Sequence, residues 1–134
     1  MGRSRLSTLI LTGILVLLTL SGCGPKTTQL DIELNEFEFN PNAFAVKAGE
    51  QVNLKLKNNG ALEHNFVILK AGYEATAPFD RQNKAMIYFE QKVPANESIS
   101  ATFRAPKEPG VYEIICSIPG HLEQNMKGTL TVSE

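Results

Sequence analysis

"VYEIICSIPGHLEQNMKGTLTV", Val111 to Val132, decides how the chain is read. "VYEIIC" is apolar and rich in residues that favour extended backbone, and it reads as a largely buried strand; "KGTLTV" reads as a second strand closing the chain. The loop between them is stiffened by Pro119 and carries Gly120. The unit is therefore strand, loop, strand, and the loop hangs from a rigid frame.

The rest of the chain repeats the pattern of short strands and turns. In "QLDIELNEFEFNPNAF", Leu30, Ile32 and Leu34 alternate with polar residues, the phase slips by one at Asn35-Glu36, and Phe37 and Phe39 resume it. The slip implies a bulge or bend within one long segment. Asn40-Pro41-Asn42 supplies a turn, and "FAVKAGEQVNLKLKNNG" alternates at Val52, Leu54 and Leu56 between the turn signals Ala48-Gly49-Glu50 and Asn58-Asn59-Gly60. "HNFVIL" and "SISATFRA" are further strands, and Pro106, Pro109 and Gly110 mark the turn before "VYEIIC". Residues 71–92 resist a strand reading and fit a short helix or a long loop packed by Phe79, Met86, Ile87, Tyr88 and Phe89. The expected fold class is all-β: an antiparallel β-sandwich with Greek-key connections.

Residues 1–22 have the pattern of an export signal. Arg3 and Arg5 precede the apolar run "LILTGILVLLTL", Leu9 to Leu20, which is 12 residues long and well short of a membrane-spanning helix. "LSGC", ending at Cys23, is similar to a bacterial lipobox, which implies that Cys23 is lipidated and becomes the new N-terminus. On that reading 1–22 is a lipoprotein signal peptide, 23–29 a flexible linker and 30–134 one domain. The expected location is outside the cytoplasm, on the outer face of the cell membrane or in the periplasm.

Removing Arg3 and Arg5 takes the formal charge from −1 to −3. With no lysine or arginine run and no glycine-rich phosphate loop, nothing points to nucleic acid. The chain has two cysteines, and lipidation of Cys23 leaves Cys116 alone. In an oxidising compartment a lone thiol needs burial in the core or an occupant such as a metal.

Cys116, His121 and Met126 are spaced five residues apart on one loop. A thiolate, an imidazole and a thioether suit copper, and two histidines, one cysteine and a weak axial methionine form the electron-transfer arrangement. His64 is the other of the chain's two histidines, so it is the candidate for the second imidazole.

"AVKAGEQVNLKLKNNG", "LEHNFVI" and "VYEIICSIPGHLEQNMKGTLTV" together closely resemble the cupredoxins, the small blue copper proteins, from about Leu30 to Val132 apart from residues 71–92. "PGH" and "MKGTLTV" resemble azurin. The four residues between His121 and Met126 are one more than in azurin and match the auracyanins, while plastocyanin shares that gap but has a shorter one between cysteine and histidine. The resemblance implies one type 1 copper held by His64, Cys116 and His121 with Met126 axial, and Asn65 as a brace between loops that puts a donor near the sulfur. Azurin's axial carbonyl comes from a glycine, and Glu63 stands in that place here, so that ligand is not expected.

The resemblance also implies that His121 lies amid an apolar patch for transient redox partners, with Leu62, Ile118, Pro119 and Leu122 as candidates. The expected function is a membrane-tethered, monomeric carrier of single electrons and not an enzyme, since two histidines leave none for further copper or for a hydrolytic triad. A copper-storing or copper-delivering lipoprotein and a metal-free sandwich are the alternatives. A red copper site would need Glu63 or Glu123 to reach the metal, which the spacing disfavours.

Overall fold

In the computed structural model, residues 26–134 are described. The signal segment and Cys23 lie outside the described residues. Among the described residues nine strands form the sandwich: β1 Thr27–Asn35, β2 Glu38–Asn40, β3 Ala43–Lys47, β4 Gln51–Asn58, β5 His64–Leu69, β6 Ile87–Val93, β7 Ser98–Arg104, β8 Gly110–Ile115 and β9 Lys127–Ser133. One short helix, α1 Arg81–Ala85, precedes β6. The sheets run β2-β1-β4-β7 and β3-β9-β8-β5-β6.

The period-two residues do what alternation requires. Ile32 and Leu34 of β1, Val52, Leu54 and Leu56 of β4, and Leu130 and Val132 of β9 turn inward to one buried core. Phe39 and Phe44 meet the buried ring of Phe66 edge-on, with centroids 5.7 and 6.2 Å away. The all-β sandwich expected from the turn spacing is present, but it is not wholly antiparallel: β1 pairs parallel with β4, and β3 parallel with β9.

Three local expectations are corrected. The phase slip at Asn35-Glu36 is a tight hairpin, not a bulge or bend within one long segment, because the chain reverses there and Asn35 pairs with Glu38 across β1 and β2. The N-terminal linker is shorter than expected: Thr27, Thr28 and Gln29 already belong to β1, drawn into the ladder opposite Gln51, Val52 and Asn53. Residues 71–92 hold most of a strand as well as a helix. β6 was hidden because Ile87, Tyr88 and Phe89 are a continuous apolar run, whereas in the structure the Tyr88 hydroxyl turns outward and donates to the Arg104 carbonyl at 2.7 Å.

Asp80 caps α1 by accepting from the backbone N–H groups of Gln82 and Asn83. The segment around α1 covers the outer face of the second sheet. There Val67, Leu69, Ala75, Ile115 and Leu122 form a second apolar cluster, flanked by Tyr73, Phe79 and Ile87. This layer explains why every residue of β5 is buried and why "HNFVIL" shows no alternation.

Buried Asn58 ends β4 and builds the loop that leads to β5. Its Nδ2 donates to the carbonyls of Leu62 at 2.8 Å, Val93 at 3.0 Å and Pro94 at 3.1 Å, while its Oδ1 accepts the Gly60 N–H at 2.8 Å. Replacing it leaves buried backbone groups without partners. Asn58→Ala should destabilise the fold by about 2–3 kcal/mol, against less than about 0.5 kcal/mol for the exposed neighbour change Asn59→Ala; equilibrium denaturant unfolding of the two variants checks the difference.

Candidate metal centre

β5 and β8 are antiparallel neighbours, Val67 opposite Ile115. His64, the first residue of β5, and Cys116, just past the end of β8, therefore reach the same end of the sheet. The loop back to β9 is tied by its own backbone: His121 N–H donates to the Ile118 carbonyl at 3.0 Å, Met126 N–H to the His121 carbonyl at 3.0 Å, and Cys116 N–H to the Met126 carbonyl at 3.1 Å. Asn125, at φ 61°, makes the left-handed step that turns the chain into β9, a conformation asparagine tolerates better than most residues.

These constraints bring three donor atoms together. His64 Nδ1 lies 3.0 Å from His121 Nδ1, and Cys116 Sγ lies 3.2 Å from His121 Nδ1 and 3.9 Å from His64 Nδ1. These separations are short enough for one ion to touch all three atoms, at about 2.0 Å from a nitrogen and about 2.3 Å from a sulfur. His64 and Cys116 are fully buried and His121 is 4% exposed, so water does not compete for the donors. Met126 is buried in the same core as Cys116.

The electrostatics suit a cation. Burial pulls His64 and His121 below the ordinary imidazole range, outweighing the opposing pull of the Glu36 charge on both rings and of Glu123 on His121, so both present neutral lone pairs near pH 7. Burial pushes the Cys116 thiol up, partly offset by the backbone N–H groups of Asn65 and Ile118. His64 Nε2 is buried with no hydrogen-bond partner among the described residues, so the ring's polar contacts lie on the Nδ1 side.

Asn65 joins the two loops. Its backbone N–H points at Cys116 Sγ at 3.5 Å, its Oδ1 accepts the Ser117 N–H at 2.7 Å, and its Nδ2 donates to Ser117 Oγ and Glu90 Oε1, each at 2.8 Å. Of the expected patch, Leu62 is 48% exposed, Pro119 exposed and Ile118 half-buried. Leu122 does not join them: one residue past His121, it turns away and is buried in the second apolar cluster.

Several site residues were not singled out in the sequence. Phe37 packs edge-on against His121, with centroids 5.3 Å apart and planes at 89°, and Glu36 accepts the Ala61 N–H at 2.6 Å. The phase slip at Asn35-Glu36 was their signal, read as a bulge or bend within one long segment when it marked a hairpin tip. Asn58, Ser117 and Glu90 act through hydrogen bonds with partners distant in sequence, which no local pattern encodes.

The family model described as copper binding proteins, plastocyanin/azurin family, matches residues 26–133. Auracyanin-A of Chloroflexus aurantiacus is 32% identical over 130 residues, covering 84% of this chain and 78% of that protein. The copper-resistant cuproprotein CopI of Rubrivivax gelatinosus is 33% identical over 98 residues, covering 70% of this chain and 59% of that protein. Among solved structures, dithionite-reduced auracyanin from Roseiflexus castenholzii superimposes with a TM-score of 0.67 at 28% identity, covering 83% of this chain and 100% of that one.

Near neutral pH both imidazoles are unprotonated while the buried thiol holds its proton. Binding of Cu(II) at pH 7 should therefore release about one proton per metal, supplied by Cys116. Titration calorimetry in buffers of different ionisation enthalpy measures that number, and Cys116→Ser should reduce it to about zero.

Proposed function

The chain belongs to the plastocyanin/azurin family of copper-binding proteins, and from that premise we propose that it is a membrane-tethered carrier that shuttles single electrons between redox proteins. Its cofactor is one type 1 copper, and copper electron transfer is the activity of the family. The ligand assignment follows from the observation that carries this reading: the Nδ1 atoms of His64 and His121 and the Sγ of Cys116 converge at 3.0–3.9 Å inside a dry frame. Met126, buried in the same core as Cys116, would be the fourth residue holding the copper in this assignment.

Bound copper supplies a one-electron couple between Cu(II) and Cu(I). The protein's part is to hold the donors still and exclude water. His64 and Cys116 are anchored on adjacent strands of one sheet and cross-linked through Asn65 and Ser117, so little has to move when charge arrives. The Asn65 N–H near the sulfur stabilises thiolate charge and so bears on the potential. Partners dock transiently over Leu62, Pro119 and Ile118 through a small apolar contact. With both histidines of the chain used as ligands, the protein is not an enzyme, and it acts as a monomer.

Export and tethering rest on the sequence of residues 1–23, with Cys23 carrying the lipid. Among the described residues no helix is long and apolar enough to cross a membrane. A second reading, copper storage or delivery, is favoured by the likeness to the copper-resistant cuproprotein CopI; rapid loss of the metal to a chelator would support it over electron transfer.

Adding Cu(II) to the purified protein should produce an intense blue or green absorption band and a small copper hyperfine splitting in the electron paramagnetic resonance spectrum. Cys116→Ser should abolish both; a pale wild-type spectrum with ordinary splitting would sink the assignment. For the tether, Cys23→Ala should move the protein from the membrane fraction to the soluble one.

A further inference from the structure

Glu36 and Phe37 form the tip between β1 and β2, and of the two only Phe37, at the second central position, has positive φ, a place that ordinarily favours Gly or Asn. Phe37 holds φ 66°, a left-handed conformation unfavourable for a bulky residue. The residue is 37% exposed, so core burial does not account for its place there. The ring instead stands edge-on to His121, which is left 4% exposed.

Glu36 grips the other ligand-bearing segment. Its carboxylate accepts the Ala61 N–H at 2.6 Å and closes directly on Gly60, where a Cβ would collide with it. That N–H, the largest influence, holds the Glu36 carboxyl below its ordinary range. The group is charged at neutral pH, and its charge acts on both His64 and His121. One hairpin tip thus touches the loop leading into His64 and the imidazole of His121.

We propose that the Glu36-Phe37 tip is a positioning brace for the copper centre: Phe37 orients and dries the His121 imidazole, and Glu36 locks the approach to His64 while placing a negative charge beside the site. This deepens the electron-carrier reading and rests on it for its redox consequences. The two residues pull the potential in opposite directions. The negative charge of Glu36 favours the more positive oxidised site, so removing it raises the reduction potential. The Phe37 ring keeps water away, and water also favours the oxidised site, so removing the ring lowers the potential.

The test compares Glu36→Gln, Phe37→Ala and Phe37→Tyr with the wild-type protein, the last retaining the ring. In the copper-free proteins, proton resonances of the His121 imidazole and their cross-relaxation to Cys116 should match between wild type and Phe37→Tyr, and should broaden and weaken in Phe37→Ala. A wild-type pattern in Phe37→Ala overturns the positioning role whatever the metal result. In the copper-loaded proteins the potential should rise in Glu36→Gln, fall in Phe37→Ala and stay near wild type in Phe37→Tyr. Each shift should change the oxidised-to-reduced ratio by about threefold or more, roughly 28 mV for a one-electron couple. Unchanged potentials, or shifts of the same sign, overturn the brace. A wild-type protein lacking the thiolate band would instead defeat the electron-carrier reading, and the copper-free comparison would still decide whether Phe37 holds His121.

Discussion

Two imidazole nitrogens and one thiol sulfur are held 3.0–3.9 Å apart in a space that water does not enter, and the rest of the structure is arranged around that constraint. Polar side chains lose hydration when buried, at about 1–3 kcal/mol for each group left without a good partner. Here the three donors have mainly one another, and His64 Nε2 has no partner among the described residues. A cation that accepts all three lone pairs relieves the shortfall, so metal binding and fold stability are linked. The same burial keeps the imidazoles neutral, which is the form a metal requires.

Holding donors that close without a metal needs a frame that does not yield. The second sheet supplies it through the pairing of β5 with β8, and Asn65 fastens the loops beyond those strands to each other. Asn58 does the same for the approach to His64 with bonds from one buried amide to four backbone groups. On the outer face, the layer around α1 buries Val67, Leu69 and Ile115, so the strands that carry the ligands are packed on both sides. A strand packed on both sides has little freedom to shift, and the donors it carries inherit that rigidity.

Legibility followed sequence distance. Cys116, His121 and Met126 could be read together because they share one loop between two recognisable strands, and His64 joined them because the chain holds just two histidines. The inward residues of β1, β4 and β9 were readable from alternation. β6 was not, because Tyr88 is a large aromatic whose hydroxyl finds a carbonyl and so sits half outside. Leu122 misled for the converse reason: it adjoins a site residue in sequence, yet the turn after His121 sends it into the core behind the second sheet. Phe37 and Glu36 were visible as a break in period, but a break does not say whether a strand bulges or reverses.

What the sequence by itself determined is chemical: the donor types, their spacing on a stiffened loop, the family resemblance and an all-β sandwich, all of which reside in residue identities and short-range periodicity. What only the tertiary structure decided is which distant segments close over those donors. The parallel pairing of β1 with β4, the reversal that carries Phe37 to His121, the grip of Glu36 on the Gly60–Ala61 backbone and the turning away of Leu122 depend on contacts between residues far apart in the chain. Such contacts are selected by the packing of the whole core, and no local pattern of residues specifies them.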